Sequence, residues 1–139
     1  MNFIKKNNIS ILSSDYDNAK DFYTNSLGFK ILKEKYDEET NMKRLVLGLE
    51  DCEIHIVSRD KKDDLLEDLD FSSPIHLAIE VGNLEDAISE LNKKGITTGD
   101  IKFDGTISKK YSYFLDPDGL VIELFETSIW EFPSYNQYL

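Results

Sequence analysis

Apolar and polar residues alternate over Asn8–Leu12 (NISIL). A period of two predicts a strand, since successive side chains of an extended chain point to opposite faces. From Asp15 the period changes. Tyr16, Ala19, Phe22, Tyr23 and Leu27 fall near one face at helical spacing, with Asp15 suited to cap the start and Gly28 to end it. Strands over Phe29–Tyr36, Lys43–Leu47 and Cys52–Val57 follow, separated by polar connectors. After an acidic stretch, Asp60–Asp70, expected to be a solvated connector or a short surface helix, the same order returns. Pro74–Val81 (PIHLAIEV) predicts a strand. Leu84, Ala87, Ile88 and Leu91 predict a helix opened by Asn83 or Leu84, with Lys93 and Lys94 in its last turn and Gly95 at its end. Strands near Thr97–Phe103, Lys110–Leu115 and Leu120–Glu126 complete a second β-α-β-β-β order.

The last of these strands carries the first chemical question. In DPDGLVIELFE, Asp116 to Glu126, Pro117 presets φ for a tight turn and Gly119 tolerates φ > 0. Beyond the turn, Ile122 and Leu124 share one face, and Val121, Glu123 and Phe125 share the other. A carboxylate between Val and Phe is either at a solvent-exposed edge or requires a charged partner.

The two halves superpose at a constant offset of 68 residues. Asn8-Ile-Ser-Ile falls on His76-Leu-Ala-Ile, Ala19 on Ala87, and LVLGLEDCEIHI on YFLDPDGLVIEL. Such self-similarity indicates two copies of one supersecondary unit. The same offset sets His55 on Glu123 and Asn8 on His76, and the chain's two histidines occupy these related positions. If both units curve alike, His55, His76 and Glu123 point into one hollow. Two neutral imidazoles and a carboxylate supply three ligands to a divalent ion and leave positions for water or substrate. The same geometry also allows a site without an ion, with Glu123 bonded directly to one imidazole. The plainer alternative, that each histidine is a separately satisfied buried ring, leaves their related positions in the repeat unexplained.

Composition narrows the partners. The 139 residues bound the chain to one domain or two small halves sharing a core. A net charge of −11 argues against a nucleic-acid surface, though not against a small anionic substrate. The single cysteine, Cys52, excludes an intramolecular disulfide and is expected to be a packed thiol in a reducing compartment. No run reaches the ~18–20 apolar residues of a membrane span, and MNFIKKNNIS lacks the apolar core of a signal peptide, so a cytoplasmic location is expected.

Paired β-α-β-β-β units, the FYTNSLGF helix ending, the IHLAIEV strand and the DPDGLVIELFE strand together resemble the glyoxalase/bleomycin-resistance family, the vicinal oxygen chelate superfamily, over residues 8–126. The resemblance implies an α+β fold in which two modules (about 6–58 and 74–126, joined by a connector over 59–73) form a cupped eight-stranded mixed sheet with the helices outside. It implies one domain over 1–139, usually a homodimer around a divalent ion such as Zn, Ni, Fe, Mn or Co. Its second, third and fourth ligand positions fall on His55, His76 and Glu123. The first, usually His, falls on Asn8, whose amide is a weak ligand, so a looser three-ligand site is expected. Glu53 shares His55's strand face as a substitute ligand.

The chemistry implied is that of a metal-dependent lyase or isomerase. The ion chelates neighbouring substrate oxygens, and Glu123 acts as the proton carrier, as in a lactoylglutathione lyase. The alternative is a non-catalytic protein that sequesters a drug or metabolite in the same cavity; Asn8 favours it. An extradiol-type dioxygenase fits less well, because that class has His at the first position. Cavity walls are expected from Ser10, Leu12, Val57, Ala78, Val121, Phe125 and Tyr113. Lys109, Lys110 and Tyr111 lie on the neighbouring strand, where a lysine either meets an anionic substrate or is solvated. The tail Thr127–Leu139, rich in aromatics, is expected to dock on its own unit or across a dimer.

Overall fold

A computed structural model describes Met1, residues 8–59 and residues 76–127. The acidic connector and the tail beyond Thr127 lie outside the described residues, as does the side chain of His76. The chain divides into two compact units, the first ending at Pro74 and the second beginning at Ile75. Among the described residues each holds a four-stranded mixed sheet and an α-helix, so the α+β class and the paired β-α-β-β-β order are observed.

In the first unit, β1 (Asn8–Ser13), β2 (Lys30–Asp37), β3 (Met42–Leu49) and β4 (Cys52–Arg59) are ordered β1-β4-β3-β2, with β1 parallel to β4 and the other pairs antiparallel. Helix α1 (Tyr16–Asp21) is capped by the Asp15 carboxylate, which accepts from the Asn18 N–H, and continues into a π-helical turn over Phe22–Ser26. The helix packs on β4. Ala19, Phe22 and Tyr23 are buried with Ile11, Leu45, Leu47, Ile54 and Ile56, which are the helix-facing residues of three strands.

In the second unit, β5 (His76–Glu80), β6 (Lys102–Asp104), β7 (Lys109–Leu115) and β8 (Val121–Thr127) are ordered β5-β8-β7-β6. Helix α2 (Leu84–Lys93) is capped by Asn83, whose side chain accepts from the Asp86 N–H. It packs on β8, and Leu84 and Leu91 are buried with Leu77, Ile79, Phe114, Ile122 and Leu124. The strand predicted over Thr97–Phe103 is only three residues long. Its leading segment is held beside β7 by isolated bonds, from the Gly99 N–H to the Tyr113 carbonyl and from the Ser112 hydroxyl to the Gly99 carbonyl, instead of by a ladder.

The repeat is real, but its offset is not constant. Asp15 and Asn83, Ser10 and Ala78, and His55 and Glu123 occupy equivalent places at 68. Between helix and hairpin the offset drops to 67: Val46 pairs with His55 as Tyr113 pairs with Glu123, and Lys35 pairs with Arg44 as Lys102 pairs with Tyr111. The π turn inserts the extra residue in the first unit. The Asp116–Leu120 turn returns it in the second, where Leu115 pairs with Val121 and the Asp116 carboxylate accepts from the Asp118 and Leu120 N–H groups.

One surface triad ties α1 to the edge strand β2. The Tyr16 hydroxyl donates to Glu34 at 2.6 Å and Lys20 reaches the same oxygen at 2.9 Å. The bond from Tyr16, and then Lys20, holds the Glu34 carboxyl below its ordinary range, while burial and the bond to Glu34 push the Tyr16 phenol up. A depressed carboxylate gives stability present above its unfolded pKa and lost as pH falls through the folded one. A raised phenol gives stability present below its unfolded pKa and lost as pH rises towards the folded one. Tyr16→Phe is therefore expected to flatten the melting temperature's fall on both the acid and the far alkaline side, as read by thermal unfolding across pH.

Candidate functional site

Each sheet has a helix-covered face, and the predicted site residues whose side chains are described fall on the other. In the first unit, Asn8, Ser10 and Leu12 pair with Glu53, His55 and Val57, which pair in turn with Gly48, Val46 and Arg44. Ladder partners point to one side of a sheet, so these nine share a face. In the second unit, Ala78 pairs with Glu123 and Glu123 with Tyr113. His76 pairs with Val121, and Phe125 with Tyr111. The register thus sets Ser10 beside His55 and Leu12 beside Val57 in one sheet. In the other it sets Ala78, Val121, Phe125 and Tyr113 around Glu123.

His55 is bonded at both ring nitrogens. Nδ1 lies 3.0 Å from Arg44 Nη1, and Nε2 lies 3.0 Å from Glu53 Oε1. A guanidinium only donates, so Nδ1 is the acceptor and Nε2 carries the proton that goes to Glu53. Glu53 therefore orients the ring within its own unit.

Glu123 is buried, its side chain 5% exposed, and its charge is answered by a lysine. Lys109 Nζ lies 3.2 Å from Oε1 and 3.1 Å from Oε2. The same ammonium stands 5.4 Å from the centre of the Tyr111 ring and 5.1 Å from that of Phe125. Tyr111 meets Tyr113 edge to face at 5.6 Å. The Tyr113 phenol is raised above its usual value by burial first, then by the negative charge of Glu123 and the neighbouring Tyr111 phenol, against the opposing pull of Lys109. Lys109, Tyr111, Tyr113, Glu123 and Phe125 make one cluster.

The donor set bears on a metal. As bonded, His55 offers an ion no free lone pair, one being taken by Arg44 and the other nitrogen being protonated. Both oxygens of Glu123 face an ammonium, which repels a second cation. Among the described residues no group of three or more His, Cys, Asp or Glu is placed to hold an ion. Taken each in its own unit, neither His55 nor Glu123 as bonded fits a divalent cation, and the side chain of His76, the third expected ligand, lies outside the described residues.

Arg44 and the clamping role of Lys109 were not singled out from the sequence. Strand alternation carried the signal: Lys109, Tyr111 and Tyr113 share a face opposite Phe125 and Glu123 across the hairpin, as Arg44 and Val46 do opposite His55.

A mixed four-stranded sheet, covered by a helix on one face and carrying ionisable side chains on the other, occurs twice; that defines a paired-module α+β protein with its polar groups on strands. The chain belongs to the glyoxalase/bleomycin resistance protein/dioxygenase superfamily, whose family model matches residues 6–124. Members of this superfamily commonly use a divalent metal, and the fold binds small molecules. The chain is 37% identical over 119 residues to the uncharacterized protein YwkD of Bacillus subtilis (strain 168), spanning 85% of this chain and 93% of that one. It is similar to a solved glyoxalase family protein from Enterococcus faecalis, at 35% identity and a TM-score of 0.72, covering 89% of this chain and 98% of the other. TnmS3, an antibiotic binding protein from Streptomyces sp. CB03234, shares the fold at 22% identity and a TM-score of 0.73, covering 92% and 99%. No described helix is long and apolar enough to cross a membrane.

Proposed function

We propose that this protein binds a small organic molecule without turning it over, as a member of the family in which an internal cation has taken the ion's place beside Glu123. The observation that carries this reading is the Lys109 ammonium on both oxygens of the buried Glu123 carboxylate. A carboxylate needs a countercharge to stay ionised when desolvated. Here the chain supplies it from its own hairpin. Asn8 in place of a stronger first ligand, and Arg44 on Nδ1 of His55, support the same reading. The lyase reading rests on the three ligand positions His55, His76 and Glu123 and on family membership. It requires Lys109 to leave.

Elemental analysis of the protein purified without chelators separates the two. Expected is no stoichiometric Zn, Ni, Fe, Mn or Co, and no isomerisation of hemithioacetals when these ions are added singly. One bound ion per chain, lost in His76→Ala, would restore the metal-dependent lyase.

A further inference from the structure

We propose that Glu123, Tyr111, Phe125 and Tyr113 form a recognition box for an organic ammonium group, and that Lys109 occupies it as an internal stand-in for the ligand. This rests on the binding-protein reading and names the class of molecule bound.

The parts are those that cation recognition requires. A primary ammonium is stabilised by a carboxylate and by the negative faces of aromatic rings, the arrangement of an aromatic cage. Lys109 Nζ has both: two Glu123 oxygens at 3.1 and 3.2 Å, and ring centres at 5.1 and 5.4 Å. The carboxylate is buried and the lysine side chain is 18% exposed, so the occupant has a way out to water while the acceptor does not. Lys109 opens β7 beside Ser108, which takes a positive φ of 50°. Its long stem is anchored at the end of a hairpin, where a rotamer change swings the ammonium away without disturbing the ladder. Tyr111, Tyr113 and Phe125 are all half-buried, so a ligand reaching the box would meet their exposed edges. Long-range attraction points the same way, because a net charge of −11 draws cations towards the surface and repels anions.

A tethered group competes as a ligand at an effective concentration in the millimolar range. Wild-type affinity for a free ammonium compound is therefore reduced by the internal lysine, and removing it should unmask the site. The ligand that opens the wild-type box must bring contacts beyond its ammonium, and an arylalkylammonium that also stacks on the half-buried rings has them.

The test uses the full chain with lysine ¹³C-labelled at Cε and benzylammonium as the probe. In the wild type the Lys109 Cε signal, shifted by the two rings, is expected to move saturably towards the position of the solvated lysines. Lys109→Ala is expected to bind benzylammonium about tenfold more tightly by calorimetry. Its melting temperature should rise in ethylammonium chloride over sodium chloride at equal ionic strength, with no such rise in the wild type. Adding Glu123→Gln to Lys109→Ala should abolish both effects. A Lys109 signal that stays put, a response that survives Glu123→Gln, or a Lys109→Ala protein that takes up Zn and ignores ammonium would each overturn the proposal. Should Lys109→Ala fail to fold, the Cε titration of the wild type decides alone. A wild type free of metal whose Lys109 does not move sinks this inference only; a wild type that carries an ion sinks the binding-protein reading itself.

Discussion

Truncating Tyr23 to alanine is expected to cost about 3–5 kcal/mol of unfolding free energy, a large share of what a domain of this size has. Tyr23 is 0% exposed, sits in the π turn that closes the first helix, and meets Phe22 edge to face at 5.2 Å and Phe29 at 6.2 Å in a stacked pair. Its carbonyl accepts from the Phe29 N–H at 3.0 Å, so the side chain and the exit from the turn are fixed together. Removing the ring takes away its transfer free energy and leaves a cavity that the closely spaced helix and sheet cannot close. The control is Tyr36, on the edge strand and 53% exposed, where alanine is expected to cost about 0.5 kcal/mol or less. Urea unfolding of the two variants reads this directly. A Tyr23→Ala loss no larger than that of Tyr36→Ala would mean that the π turn is not part of the core.

The π turn also marks the boundary of what the sequence disclosed. Caps and alternation are local rules, so Asp15, Asn83 and the strands around His55 and Glu123 were legible residue by residue. The duplication was legible too, because equivalent places impose equivalent patterns. What could not be read was an insertion in one unit offset by an insertion in the other. A π turn has no distinctive composition, and an extra hairpin residue looks like an ordinary turn, so a constant offset matched Leu45 with Tyr113. The structure puts these on different faces: Leu45 is buried towards its helix, while Tyr113 stands beside Glu123.

The countercharge of Glu123 was hidden for a different reason. A search for a partner among the repeat-related positions leads to the imidazoles and overlooks Lys109, which belongs to the pattern only through the hairpin pairing. The equivalent position in the first unit, Met42, carries no charge. Alternation alone places Glu53 beside His55 on the strand face. Its use as a hydrogen-bond acceptor for that ring, instead of as a substitute ligand, depends on Arg44 fixing the tautomer. Such choices are made by side-chain geometry, on which periodicity is silent.

Breaking the Lys109–Glu123 pair from one side is the second large effect expected. Lys109→Met leaves a carboxylate that is 5% exposed without its cation, and loss of one partner from a buried pair costs about 3–5 kcal/mol. Replacing both, as Lys109→Met with Glu123→Leu, removes the stranded charge together with its countercharge. The double variant should then return to within about 1 kcal/mol of the wild type or exceed it. The Lys110–Glu85 pair, with side chains 38% and 56% exposed, is the surface comparison, and its loss is expected to change stability far less, because water screens both charges. A four-protein cycle measured by urea unfolding gives the coupling. If Lys109→Met costs no more than Lys110→Met, water or another group must be compensating Glu123. Lys109 would then not be the cation that replaces the ion beside Glu123. If instead the single variant is strongly destabilised and the double variant recovers, Glu123 is ionised because of Lys109, and any molecule that binds there must supply a cation of its own.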